Sequence, residues 1–154
     1  MVRGRDSMEY YKKIRNIRED LDIKQYQFAN LIHVLPKTYN LYENGGRSIP
    51  IDVLNRILKT LHLSLDYLLD LPEYFSYESL EELENLKDID VKELALNLRK
   101  YRKKARFTQT EMAKLLNCSQ QTLSEYERGN TMIPLGTLKR FCEEVKVSAD
   151  IMAG

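Results

Sequence analysis

One displacement of 84 residues, with no gap, brings this chain onto itself. Asp6, Glu9, Arg15, Arg18, Gln25, Ala29, Leu31 and Thr38 fall on Asp90, Glu93, Arg99, Arg102, Gln109, Ala113, Leu115 and Thr122. Tyr42, Glu43 and Gly45 fall on Tyr126, Glu127 and Gly129, and Ile49, Pro50, Leu54, Arg56, Ser64 and Asp66 on Ile133, Pro134, Leu138, Arg140, Ser148 and Asp150. These 17 identities lie between residues 6 and 69 of the first copy. The repeat is longer than the unit that stacks into solenoids, about 20 to 50 residues, so the chain reads as two copies of one small domain. We place them at residues 6–71 and 90–154, joined by a connector over 72–89.

The 154 residues are 43% hydrophobic with only 6 Gly and 4 Pro, a composition suited to two compact modules near the lower size limit for a self-supporting core. No stretch approaches the roughly 20 apolar residues of a membrane span, and the start Met1-Val2-Arg3-Gly4-Arg5 lacks a signal peptide's apolar segment. A cytoplasmic protein is expected. Cys118 and Cys142 lack CxxC spacing and read as small buried apolar residues.

A net charge of +1 hides a segregation. Residues 1–72 carry 11 Lys/Arg against 9 Asp/Glu, residues 73–93 carry 2 against 8, and residues 94–154 carry 11 against 6. An acidic connector thus offsets a basic second copy, where Arg99, Lys100, Arg102, Lys103, Lys104 and Arg106 crowd one helix and its exit. Such a cluster is either a solvated helix face or a surface for a polyanion.

Helix punctuation is clear in the second copy. Asp90 with Glu93 opens a helix to about Lys104, and Thr108 with Glu111 forms a capping box for a second helix ending near Asn117. Ser119 caps a third, which turns Leu123 and Tyr126 inward and stops at Gly129, suited to a left-handed C′ position. Pro134 suits the first turn of a fourth, with an apolar stripe of Leu138, Phe141, Cys142 and Val145. Ser148 and Asp150 open a short fifth. Five helices and no strand are expected per copy.

Between Thr108 and Gly129 the chain has the length of a helix, a three-residue turn and a second helix, with Ala113 where their backbones approach. Here it resembles the Cro/C1-type (Xre-like) helix-turn-helix repressor family. The resemblance rests on Phe107-Thr108-Gln109-x-x-Met112-Ala113, then Ser119-Gln120-Gln121-Thr122-Leu123-Ser124 and Tyr126-Glu127-x-Gly129, with Ser148-Ala149-Asp150 at the end. Tyr42-Glu43-Asn44-Gly45-Gly46-Arg47-Ser48-Ile49-Pro50 and Ser64-Leu65-Asp66-Tyr67-Leu68-Leu69 match it in the first copy. It implies an all-α chain of two tandem five-helix, lambda-repressor-like DNA-binding domains joined by an acidic, partly helical connector.

Carried over by position, the resemblance implies that Gln120 and Gln121, in the first turn of the recognition helix, read base edges, with Ser124 one turn on. A glutamine amide can bond bidentately to adenine. Gln109, at the start of the preceding helix, is expected at a DNA phosphate, and Arg128, Asn130 and Thr131 are expected to position the backbone. The first copy departs from the pattern: Lys24 replaces a polar cap, His33 and Val34 fill the turn, and Leu35-Pro36 replace a polar cap on the recognition helix, with Pro36 tolerable at N1. Lys37, Thr38 and Asn40 become its base-facing candidates, with Gln25 and Arg47 for phosphates. That module either reads DNA with a different preference or serves as a docking or dimerisation surface. Arg102 with Glu127, and Arg18 with Glu43, resemble the family's ion pair between its first and third helices, and Tyr42 and Tyr126 read as core aromatics.

Catalysis finds no support. His33 and His62 are the only histidines, neither stands in metal-ligand spacing, and no phosphate-binding glycine loop is present. No cofactor, metal or small-molecule ligand is expected, and with the last helix ending at Gly154 neither is an effector domain. The expected function is sequence-specific binding of double-stranded DNA by a transcriptional repressor of bacterial or phage origin. The competing reading is a protein-interaction regulator or antitoxin component. Tyr77, Leu80, Leu83 and Leu86 could form an apolar stripe in the connector, packing on the modules or pairing two chains. Eighteen connector residues, ten helical at ~1.5 Å and eight extended at ~3.3 Å, span about 41 Å. That exceeds the ~34 Å between half-sites one turn apart. A homodimer or an intramolecular pseudo-dimer is therefore allowed, the latter with an operator that need not be palindromic.

Overall fold

A computed structural model describes residues 5–71 and 87–154; the connector stripe of Tyr77, Leu80, Leu83 and Leu86 lies outside the described residues. The first module is built from α1 (Arg5–Asp20), α2 (Gln25–Leu31), α3 (Pro36–Glu43), α4 (Ile51–Leu61) and α5 (Leu65–Leu68). The second is built from α6 (Val91–Lys104), α7 (Gln109–Leu115), α8 (Gln120–Arg128), α9 (Leu135–Val145) and α10 (Ala149–Ala153). No strand occurs among the described residues.

The expected caps form. Asp90 accepts from the amides of Lys92 and Glu93 at 2.9 and 3.2 Å. Thr108 Oγ1 accepts from the Glu111 amide while the Glu111 carboxylate accepts from the Thr108 amide, both at 3.1 Å, and that backbone donor holds the Glu111 carboxyl below its ordinary range. Ser119 Oγ accepts from the Thr122 amide at 3.0 Å. In the first module Lys24 offers no acceptor, so only the returning half of the box survives, the Gln27 side chain accepting from the Lys24 amide at 2.9 Å. Leu35 is an N-cap without a side-chain bond, and Pro36 sits at N1, where its missing amide costs nothing. Pro134 stands at the N-cap of α9, one position before the helical start expected of it.

Backbone conformation repeats even where sequence does not. Asp22 and Arg106, His33 and Asn117, and His62 and Lys146 are matched pairs at the 84-residue offset, all with φ between +52° and +66°. Gly45 and Gly129 do the same at 72° and 75°. Both histidines thus end helices in the left-handed region, where His, Asn and Asp are tolerated better than most residues.

One apolar cluster runs through both modules, and its volume is redistributed between matched positions. Phe28, Tyr39 and Ile57 fill the first, and Met112, Leu123 and Phe141 fill the second; all six are fully buried. The aromatic bulk moves from α2 and α3 in one copy to α9 in the other, conserving volume as close-packed interiors require. Phe28 and Tyr39 pack tilted, with ring centroids 5.3 Å apart. Cys142 is buried, whereas Cys118, expected buried, is only half so.

The modules touch. Helix α5 packs on α10, and α1 on α9. The amides of Leu65 and Asp66 donate to Asp150 at 2.9 Å each, and the Ala149 amide donates to Asp66 at 2.6 Å. Ser148 Oγ also donates to Asp66. Beside this contact, Ile89 is buried and its backbone is held at both ends by the Asn55 side chain, at 2.8 and 3.3 Å.

Candidate nucleic-acid interface

Helices α7 and α8 are fixed from beneath by Met112, Ala113, Leu123 and Tyr126, all buried. The small side chain of Ala113, like Ala29 in the first copy, lets the two helices approach closely. Below α8 lies the expected ion pair. Arg102 Nε donates to Glu127 Oε2 at 2.8 Å and Nη2 to Oε1 at 2.9 Å, and Nη1 donates to the Phe107 carbonyl at 2.8 Å. Both residues are buried. Arg102 therefore leaves the basic cluster in which the sequence placed it: its guanidinium points inward, because a buried carboxylate demands a charged partner. The exposed cations of that cluster are Arg99, Lys100, Lys103, Lys104 and Arg106.

From this pair a chain of bonds climbs to the surface. Gln109 Nε2 donates to Glu127 Oε1 at 3.4 Å, and Gln109 Oε1 accepts from Gln120 Nε2 at 2.6 Å. The exposed amide of Gln120 is thus aimed by Gln109, which is in turn anchored on a buried ion pair. One N–H and the carbonyl oxygen of Gln120 keep no partner among the described residues, the donor and acceptor that adenine's major-groove edge requires. Gln121 is exposed on the same first turn and Ser124 is half-buried one turn on.

Past the recognition helix, Asn130 Nδ2 donates to Glu125 Oε2 at 2.8 Å, and Arg128 Nη1 lies 3.8 Å from Glu125 Oε1. Glu125 was not singled out from the sequence, yet it holds two of the three loop residues expected to position the backbone. A carboxylate three residues before an arginine on one helix was the available signal. Thr131 is exposed.

The first module keeps the foundation and loses the relay. Arg18 Nε and Nη2 donate to Glu43 at 2.6 and 3.1 Å, Gln25 Nε2 donates at 2.8 Å, and the buried Tyr39 hydroxyl adds a fourth bond at 2.6 Å. Burial pushes the Glu43 carboxyl up, but the donors Arg18, Tyr39 and Gln25 outweigh it and hold it below the ordinary range. Pro36 stands where Gln120 stands in the second copy, so Gln25 has no glutamine above it. Lys37, Asn40 and Arg47 are exposed and Thr38 is half-buried. Around them the face is apolar: Leu35 is 74% exposed, Leu31 56% and Tyr26 52%. The matched position of Leu35 is Ser119, and that of Tyr26 is Thr110.

Among the described residues no cluster of His, Cys, Asp and Glu is arranged to hold a metal ion, and no helix is long and apolar enough to cross a membrane. No curated protein and no solved structure matches the chain. A family model described as Helix-turn-helix matches it twice, over residues 14–68 and 98–152. Both matches contain the helix pair and the buried ion pair described above. The chain belongs to the Cro/C1-type helix-turn-helix family of DNA-binding transcription regulators and carries that family's domain in two tandem copies.

Proposed function

We propose that the chain is a sequence-specific repressor that occupies double-stranded DNA and blocks transcription by occupancy. The second module, residues 90–154, is its principal reading head. Gln120 and Gln121 read base edges with Ser124 beside them, while Gln109, Arg128, Asn130 and Thr131 fix the helix against the phosphate backbone. The carrying observation is the relay Arg102–Glu127–Gln109–Gln120, which orients an exposed amide from a buried foundation. Such preorganisation lowers the entropy lost when a flexible side chain is fixed on a base. Selection of bound sequences from random duplexes, followed by titration of Gln120→Ala on the selected site, tests it. Loss of specific binding with nonspecific binding retained supports base reading. An equal loss of both would make Gln120 a phosphate contact.

For the first module, residues 6–71, DNA contact through Lys37, Thr38 and Asn40, with Gln25 and Arg47 at phosphates, is the reading its fold supports. The apolar face of Leu35, Leu31 and Tyr26 favours a second one, a docking surface for protein. Footprinting on the selected site separates them, since only the first protects a second patch of DNA.

A further inference from the structure

The contact between the modules is reciprocal under the repeat. The Leu65 amide donates to Asp150 at 2.9 Å, and its image 84 residues away, the Ala149 amide, donates to Asp66 at 2.6 Å. Asp150 accepts from the first two amides of α5, and Asp66 accepts from the first amide of α10 and from the Ser148 hydroxyl. Contacts in which i meets j while the image of j meets the image of i define an isologous, two-fold interface. The interface is also closed. Ser64, Leu65, Asp66, Ser148 and Ala149 are all buried, and no buried side-chain polar atom among the described residues lacks a partner. Asn55 gripping the Ile89 backbone and Lys59 pairing with Asp88 at 3.3 Å add a second seam.

We infer that one chain is a complete pseudo-dimer whose two unequal recognition helices, α3 and α8, engage two inverted and non-identical half-sites on a single DNA duplex. This rests on the DNA-reading function proposed above and adds its stoichiometry and operator class. Two-fold protein symmetry maps onto two-fold operator symmetry. Here the dyad relates Lys37, Thr38 and Asn40 to Gln121, Thr122 and Ser124, so the scaffold is symmetric while the bases it selects are not. The two terminal helices are not free to join a second chain, because each already holds its sibling.

The test uses the full chain, shown to be monomeric by sedimentation. Hydroxyl-radical footprinting on the selected site should show two protected patches about one helical turn apart at one chain per duplex. A single patch, or two chains per duplex, would overturn the inference. Small-angle scattering of the DNA-free chain gives an independent reading. Asp66→Ala with Asp150→Ala should raise the radius of gyration while helicity is retained, and should weaken binding to the composite site at least tenfold without altering binding to the α8 half-site alone. If the double variant loses helicity, Asp150→Asn replaces it, with the same expectation at smaller amplitude. An unchanged radius means that the aspartates do not hold the modules together, and the inference falls. Failure to select any DNA sequence would sink the reading function and the operator with it, while the scattering result would still show whether the clasp exists.

Discussion

Glu127 in the second module takes two bonds from Arg102 and one from Gln109, whereas Glu43 in the first takes the same three and a fourth from the Tyr39 hydroxyl. The interior of the first module is the better bonded of the two, yet its outer face carries Pro36 where the second has Gln120, and exposes Leu35 and Tyr26 where the second has Ser119 and Thr110. The ion-pair foundation is shared by the two modules and the outer face is not. The ion pair holds α1 to α3 and α6 to α8 whatever stands above it. What a recognition helix reads is decided by side chains whose loss costs the fold little. The same scaffold can therefore carry two different outer faces in one chain.

Breaking the foundations should give the largest effects. Removing one member of a buried ion pair strands the other and costs about 3 to 5 kcal/mol. Glu127→Ala should fall in that range, and Glu43→Ala should exceed it by about 1 kcal/mol because the buried Tyr39 hydroxyl also loses its acceptor. Urea unfolding monitored by circular dichroism measures both. Replacing Arg102 and Glu127 together by apolar residues should be milder than either single change. Equal costs for Glu43→Ala and Glu127→Ala would show that the fourth bond contributes nothing.

On the reading faces, Gln120→Ala should weaken binding to the selected site by roughly 1 to 3 kcal/mol and flatten discrimination at one base pair. The converse change sharpens the comparison. Pro36→Gln places an amide above Gln25 and should rebuild the relay in the first module, moving its half-site preference toward adenine at one position. Repeating the selection with that variant checks this; an unaltered preference would mean that the first helix does not face bases.

Sequence made the foundations legible because they are local or repeated. Asp90, Thr108 and Ser119 cap helices within three residues, and the Arg–Glu pair recurs at one offset in both copies. The relay was not legible, since nothing in the spacing of Gln109 and Gln120 fixes the rotamers that join them. Arg102 stands both among basic neighbours and in the recurring Arg–Glu pair, and its burial decides for the pair. The Asp66–Asp150 exchange crosses two modules and leaves only a faint local trace: Ser64 and Ser148 already cap their helices, so an aspartate recurring two residues later has no further work inside its own module.

That exchange places two carboxylates close together and predicts a pH response. Burial, then the neighbouring Asp150 carboxylate, push Asp66 from about 3.8 up to about 6 against the donors Ser148 and Ala149. The Cys142 thiol, which burial drives well above its ordinary range, stays neutral beside them, and Glu143 contributes to the same field. A carboxyl whose folded value is raised stabilises the protein fully below the unfolded value and loses that contribution as pH rises through the folded one. Relative to Asp66→Asn, the wild type should therefore lose on the order of 1 to 2 kcal/mol between pH 4 and pH 7, the loss building up between the unfolded and folded values and levelling off above about 6. Parallel curves for the two proteins would mean that the carboxylates are not coupled across the modules.

The smallest effect separates the two recognition helices at their first residue. Ser119 bonds the Thr122 amide at 3.0 Å, whereas Leu35 bonds nothing and exposes three quarters of its surface. A lost serine N-cap costs typically about 1 kcal/mol, so Ser119→Ala should lower stability by that amount. Leu35→Ser should raise it by up to about 1 kcal/mol, because Pro36 already fixes the first helical residue and the Lys37 and Thr38 amides await an acceptor. If Leu35→Ser stabilises the chain and leaves the first footprint intact, Leu35 makes no contact that DNA binding needs. If it stabilises the chain and erases that footprint, Leu35 touches DNA, where an apolar side chain fits a thymine methyl group. A destabilising Leu35→Ser would show that the exposed leucine packs in the native state and that the contrast between the helices is structural.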